Sequence, residues 1–221
     1  GGSALIQVMD DGCGMSETDA RLSFERHATS KIRKAEDLFA IRTMGFRGEA
    51  LASIAAIAQV ELKTKRVEDE VGTSIIIEGS EVKSQEACSC NNGTSFSIKN
   101  LFYNVPARRN FLKSQQVETK HIIDEFQRVT LAHPEVGFSF YNNAQEIFHL
   151  KPGPLSHRII GIFGDNYKER LVPVDETTSI LKINGFVCKP EFAKKTRGEQ
   201  FFFINKRFVK DAYLNHAVAN A

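Results

Sequence analysis

The sequence predicts an α+β protein. Two readings carry this: residues alternate with period two in stretches between Val60 and Ile98, and an alanine-rich run at Glu49 to Ala58 and helical spacing over Val117 to Leu131 mark helices. A third observation, the only Pro/Gly cluster at Lys151-Pro152-Gly153-Pro154, divides the chain into expected domains of residues 1–152 and 153–221.

In order, Leu5 to Met9 is a short apolar run, read as a strand, that ends at Asp10-Asp11-Gly12-Cys13-Gly14. Ser16 reads as a helix cap, with Asp19 three residues on. Residues 27–36 are polar and read as a mobile segment. Glu49 to Ala58 is alanine-rich and strongly helical. Val60 to Thr64, Thr73 to Glu78 and Thr94 to Ile98 alternate as antiparallel strands with one wet face. Val117 to Leu131 is helical through Val117, Ile122, Phe126 and Val129. Val136 to Tyr141 and Ile147 to Leu150 fit a hairpin around Asn142-Asn143. After the Pro/Gly cluster come a helix over Leu155 to Phe163, strands at Ile180 to Val187 and Gln200 to Ile204, and a helix from about Asp211.

The chain has 221 residues, 42% hydrophobic and 25% charged, the proportions of an ordinary globular protein. No apolar run reaches the roughly 18–20 residues of a membrane span, and no segment has the pattern of a signal peptide. Net charge is +2, unevenly spread. Residues 1–90 hold 11 basic and 15 acidic side chains, whereas residues 182–210 hold eight basic and two acidic. Cys88 and Cys90 are one residue apart, and Cys13 and Cys188 have no neighbour, so the expectation is reduced thiols and no metal site. The chain opens at Gly1 without Met and closes at Ala221 inside a helical pattern, which reads as a fragment.

Four motifs carry chemistry. Asp10-x-Gly12-x-Gly14 places a carboxylate at a strand end, able to accept from an amine, with glycines that let a ring or phosphate approach the backbone. A plain strand-to-helix turn would look the same. Gly45-Phe46-Arg47-Gly48-Glu49-Ala50-Leu51 opens onto a helix whose first N–H groups could face an anion, though a flexible helix entry has the same composition. It is neither a Walker loop nor a dinucleotide fingerprint. Arg26-His27-Ala28-Thr29-Ser30-Lys31 gathers two hydroxyls and an ammonium in a lid-like stretch, and His27 has no legible nucleophile partner. Asn92-Gly93-Thr94 heads a strand and could set a hydroxyl beside Asp10.

The order DDGCGM, RHATSKI, GFRGEALASIA and NGTSFSIKNLFYNVPARRNFLK resembles the MutL mismatch-repair family, and the likeness runs to FFFINKRFV and YLNHAV at the end. Leu101 to Arg109 separates this family from the gyrases, histidine kinases and heat-shock chaperones that share the wider GHKL nucleotide fold. The resemblance implies a GHKL-type α/β sandwich, with helices on a mixed, mainly antiparallel sheet, followed by part of a ribosomal-protein-like βαβ transducer domain. It implies that Asp10 receives an adenine amine, with Thr94 helping through water, and that Gly12, Gly14 and Met15 line the base pocket. Thr29, Ser30 and Lys31 would belong to a lid over ATP, and Gly45, Phe46, Arg47, Gly48, Glu49, Ala50 and Leu51 to the phosphate cradle.

The family's catalytic Glu and its magnesium-ligating Asn are expected before Gly1, and its γ-phosphate lysine after Ala221. The fragment alone is therefore expected to bind nucleotide weakly and not to hydrolyse it. ATP and magnesium are the implied cofactors of the intact protein. The implied partners are single- and double-stranded DNA without sequence preference, the mismatch-recognition protein MutS and a second copy in a homodimer, in the bacterial cytoplasm and away from membranes. Lys194, Lys195, Arg197, Lys206, Arg207 and Lys210 are the expected DNA-contacting residues. A DNA-binding scaffold with a vestigial nucleotide site stands as the alternative.

Overall fold

The computed structural model describes residues 2–28, 45, 47–193 and 198–220. The chain forms two compact units, Gly1–Ile122 and Ile123–Ala221. The Pro/Gly cluster at 151–154 lies inside the second unit.

The first unit is built on a sheet of β1 (Leu5–Asp10), β2 (Gln59–Lys65), β3 (Gly72–Glu78), β4 (Glu81–Cys88) and β5 (Gly93–Lys99), in the order β1-β5-β2-β3-β4. Every pairing among these strands is antiparallel. Alternation places Val60 and Leu62 on one face beside Ile75 and Ile77, all of them buried. Ala20, Ala55 and Ala58 pack against them, small enough to let α1 (Glu17–Leu22) and α2 (Ala50–Ala55) approach the sheet. Phe24 meets Phe96 edge-on at 6.2 Å. On the other face, Glu61 takes the ammonium groups of Lys63 at 2.8 Å and Lys99 at 2.7 Å, which hold its carboxyl down to about 2. The edge strand β1 leaves Val8 and Met9 largely exposed.

Helix α2 is shorter than its alanine run predicts, because loops take over its last carbonyls. Ser80 N–H donates to Ala55 O at 3.0 Å, Asn104 Nδ2 to Ala56 O at 2.9 Å, and Phe102 N–H to Ile57 O at 2.7 Å. Two of these donors come from the Leu101–Arg109 segment, where Phe102 adopts the left-handed conformation (φ 62°) to aim its N–H at the helix. The segment continues into a short helix, α3 (Pro106–Asn110), with Pro106 in its first turn. Ser16 caps α1 through Asp19 N–H at 3.1 Å, as its spacing predicts.

Helix α4 (Gln115–Ala132) contains the boundary between the units. In the second unit, β6 (Phe138–Asn142) and β7 (Gln145–Leu150) form the expected hairpin, with Asn143 at φ 56° in its turn. Then come α5 (Leu155–Phe163), the hairpin β8 (Leu171–Thr177) and β9 (Lys182–Cys188), the hairpin β10 (Phe202–Ile204) and β11 (Arg207–Val209), and α6 (Ala212–Asn220). The abundant phenylalanine is the core here. Phe126 stacks on Phe148 at 5.5 Å and meets Phe138 and Phe140, around buried Leu131, Leu150 and Ile162.

Arg158 is buried beneath this cluster and, among the described residues, no carboxylate is paired with it. Its guanidinium donates to four backbone carbonyls, Thr130 at 3.2 Å, Pro134 at 3.1 Å, Val136 at 2.5 Å and Lys151 at 3.2 Å, and lies 5.2 Å from the Phe138 ring centre. These carbonyls belong to the end of α4, the chain entering β6 and the chain leaving β7, so one side chain ties three segments. Nearby, Lys206 sits in the two-residue turn between β10 and β11 with φ 64°, after Asn205 at φ 49°. Its ammonium meets Glu135 at 2.6 Å, and His133 approaches the same oxygen at 3.1 Å.

Arg158→Ala should lower the unfolding free energy by about 3 kcal/mol or more, since it strands buried carbonyls, and chemical denaturation with probes in each unit will show the loss in the second. Lys206 first, then Glu135's own backbone N–H and His133, hold the Glu135 carboxyl near 2, below its ordinary 4.5. The depressed value means the contribution is complete above about pH 4.5 and is lost as pH falls toward 2. Glu135→Gln should therefore narrow the acid loss of thermal stability across that window, by about 0.5 kcal/mol for so exposed a pair.

Candidate functional site

The end of β1 carries the first limb of the site. Asp10 lies directly opposite Thr94 on β5, and Thr94 lies opposite Thr64 on β2. Directly opposed side chains share a face at about 5 Å, so a carboxylate and two hydroxyls form a row across three strands. Thr64 and Thr94 are buried, while Asp10 is exposed. Asp10 Oδ1 receives Gly12 N–H at 2.9 Å, which bends the chain out of the strand. Gly14 then adopts φ 66°, with its Cα against the Lys65 carbonyl so closely that any Cβ would collide with it. Only glycine fits there. That close passage delivers Met15 N–H to Thr64 Oγ1 at 3.0 Å.

The second limb is the entry to α2. His27 N–H donates to Gly48 O at 3.1 Å, and Gly48, at φ 64°, packs directly on the Ala28 backbone. His27 Nδ1 lies 3.5 Å from Glu49. Thus His27 and Ala28, near the start of the lid-like stretch, are joined to the entry to α2 through their main chains. Arg47 is exposed, and Glu49 precedes the helix without a side-chain cap bond. Ala50 is exposed and Leu51 half-buried in its first turn. Gly45 is exposed. Thr29, Ser30, Lys31 and Phe46 lie outside the described residues.

Asp10, Gly12, Gly14, Met15 and Thr94 therefore come together on the first limb, and Gly48, Glu49, Ala50 and Leu51 on the second, with Arg47 beside them. Thr64 is the residue that sequence reasoning missed. Its signal was a hydroxyl at an inward position after Val60 and Leu62, on an otherwise apolar face. A neighbouring cavity of about 470 Å³ shares Met15 and Thr64 with the first limb and is also lined by Ser16, Arg66, Asp69 and Thr73. Arg66 grips Asp69 through Nε at 2.9 Å and Nη2 at 2.7 Å.

Of the basic candidates, Lys206 is held by Glu135, Arg207 stands half-buried on β11, and Lys210 is exposed just after that strand. Lys194, Lys195 and Arg197 lie outside the described residues. On the β6–β7 hairpin, Ser139 Oγ and Glu146 Oε1 both approach His149 Nδ1, at 3.1 and 3.2 Å. Since both use the same ring nitrogen, they form no proton relay. All four cysteines are free thiols, and burial together with the adjacent Cys90 pushes the Cys88 thiol up. No group of three or more His, Cys, Asp or Glu side chains among the described residues could hold a metal ion. No helix among them is long and apolar enough to cross a membrane.

A family profile described as "DNA mismatch repair protein, C-terminal domain" matches residues 159–221. The chain is 66% identical over 217 residues to DNA mismatch repair protein MutL of Christiangramia forsetii, covering 98% of this chain and 35% of that protein. It is 58% identical to MutL of Bacteroides fragilis over 220 residues, covering 100% of this chain and 35% of that protein. It thus spans about a third of the length of the curated relatives it matches. Among solved structures, it is similar to the Aquifex aeolicus MutL ATPase domain complexed with ADP, with a TM-score of 0.71, 22% identity, and coverage of 98% of this chain and 75% of that one. It also superposes on the N-terminal domain of a DNA repair protein with a TM-score of 0.78, 23% identity, and coverage of 96% and 67%. At those identities the structures speak for the fold, which is the mixed α+β architecture of the MutL nucleotide domain. Relatives that align over nearly the whole chain at more than half identity supply the rest: the chain belongs to the MutL family of DNA mismatch repair proteins.

Proposed function

We propose that this chain is the nucleotide-binding part of an ATP-dependent switch, which couples mismatch recognition to later repair steps. The observation that carries the reading is the Asp10–Thr94 row at the mouth of a glycine turn, a set of acceptors suited to a base that bears an amine. Asp10 would take the amine, Gly12, Gly14 and Met15 would line the base, and the entry to α2 from Gly45 to Leu51 would face the phosphates, with Thr29, Ser30 and Lys31 closing over them. The donor set fits a nucleotide. It does not by itself fit magnesium, because the described residues offer no cluster of ligands. Bound ATP supplies a cleavable phosphoanhydride. This chain's own residues bind and orient it, and the 221 residues taken alone bind weakly and do not hydrolyse it. Residues 1–152 would form the nucleotide domain and 153–221 the start of the transducer, in a cytoplasmic protein that works as a homodimer with MutS.

DNA would be held without sequence preference by phosphate contacts from Lys194, Lys195, Arg197, Lys206, Arg207 and Lys210. The ion pair to Glu135 supports a smaller share for Lys206 than for its neighbours.

Calorimetric titration of the chain with ADP should show binding that Asp10→Ala weakens by at least about tenfold; unchanged affinity would remove Asp10 from the site. Steady-state phosphate release by the chain should stay at background, and turnover abolished by Asp10→Ala would contradict this. Reversing Lys194 and Lys195 should flatten the dependence of DNA affinity on salt, by about 0.9 in log–log slope for each phosphate no longer neutralised. Glu135→Gln, which releases Lys206, should steepen it.

A further inference from the structure

The hydroxyls beneath Asp10 have a polarity that can be worked out atom by atom. Thr64 Oγ1 lies 3.0 Å from Met15 N, 3.0 Å from Gly93 O and 3.1 Å from Thr94 Oγ1. The Met15 N–H can only donate, and the Gly93 carbonyl can only accept. A threonine hydroxyl has one proton and two lone pairs. Thr64 therefore gives its proton to Gly93, and one of its lone pairs takes Met15 N–H. The bond to Thr94 must then be made by the Thr94 proton, directed into the second lone pair. This arrangement satisfies every group, as burial requires.

With its proton turned down toward Thr64, Thr94 offers only lone pairs to whatever lies beside it. Asp10, its neighbour across the β1–β5 register, is a carboxylate that accepts and does not donate, and its Oδ1 already takes Gly12 N–H. The floor of the site is thus a row of acceptors.

We propose that Thr64, which is 1% exposed, is a specificity-determining positioning residue. By fixing the direction of the Thr94 hydroxyl, it makes the floor select a nucleobase with an exocyclic amine and refuse one with a keto oxygen at that position. An amine brings donors to both acceptors. A keto oxygen sets acceptor against acceptor, and neither Asp10 nor the buried Thr94 gains a partner. The inference rests on the nucleotide reading above.

The test compares ADP with inosine diphosphate, which carries the same sugar and phosphates, replaces the amine by a keto oxygen and bears a proton on N1. Calorimetry on the 221-residue chain should show ADP preferred by at least about tenfold. Thr64→Val removes the acceptor that holds the Thr94 proton, so Thr94 can turn and donate to the keto oxygen. The ADP preference should then fall toward parity, and Thr64→Ser, which keeps the hydroxyl, should restore it. A merely structural Thr64 would weaken both ligands by one factor and leave their ratio unchanged, which overturns the proposal. Should Thr64→Val fail to fold by circular dichroism, Thr64→Ala takes its place. A wild-type chain that binds both diphosphates equally well overturns the proposal without any variant. A wild-type chain that binds neither instead defeats the nucleotide reading itself, and this inference with it.

Discussion

The Thr64 hydroxyl is where the first unit closes on itself. It sits on β2, takes the main chain that leaves β1 through Met15, and reaches β5 through Gly93 and Thr94. Buried hydroxyls are costly unless all their capacity is used, and here one proton and two lone pairs all find partners. The bond to Met15 is available only because Gly14 brings the chain against Lys65 with no side chain between them. A glycine without a Cβ and a threonine in an apolar row are thus two parts of one constraint. Together they fix the turn that follows Asp10, while the β1–β5 register sets Asp10 opposite Thr94.

The second unit solves a similar problem with charge. Its core is phenylalanine, which fills volume but offers no hydrogen bonds to the carbonyls of the chain turning around it. Arg158 supplies them from within, using a planar group with several donors in place of several small ones. The two Nη groups of this guanidinium are met by carbonyl dipoles and the ring of Phe138 lies beside it, while its Nε is buried without a hydrogen bond.

Much of this was legible in the sequence. The alternation of β2, β3 and β5, the cap at Ser16, the hairpin turn at Asn143, and the placement of Thr94 beside Asp10 follow from spacing and turn chemistry. What was not legible has physical causes. Strand β4, Glu81–Cys88, is a charged edge with half-exposed faces, so it shows no clean period; strand β8, Leu171–Thr177, is likewise mostly exposed. Strand β11, Arg207–Val209, is too short to display one. The alanine run after Glu49 predicts a longer helix than forms, since propensity does not register that Asn104 and Phe102 will claim its last carbonyls. Lys206 reads as one of eight basic residues in a stretch, and only its turn geometry, which points it at Glu135 seventy-one positions away, sets it apart. Thr64 escaped notice because a lone hydroxyl on an inward face looks like a compromise in packing until its three partners are seen.

The clamp on α2 also bears on how this unit holds together. A helix of six residues does not persist in water, where nucleating the first turn costs more than so few bonds return. The Ala55 carbonyl at the end of α2 is taken by Ser80 beyond β3, and those of Ala56 and Ile57 just past it by Asn104 and Phe102 beyond β5, residues far from it along the chain. The helix therefore depends on the paired strands for its persistence. A chain caught with its sheet complete and α2 not yet docked would already hold the Asp10 row, while still lacking the limb that faces the phosphates.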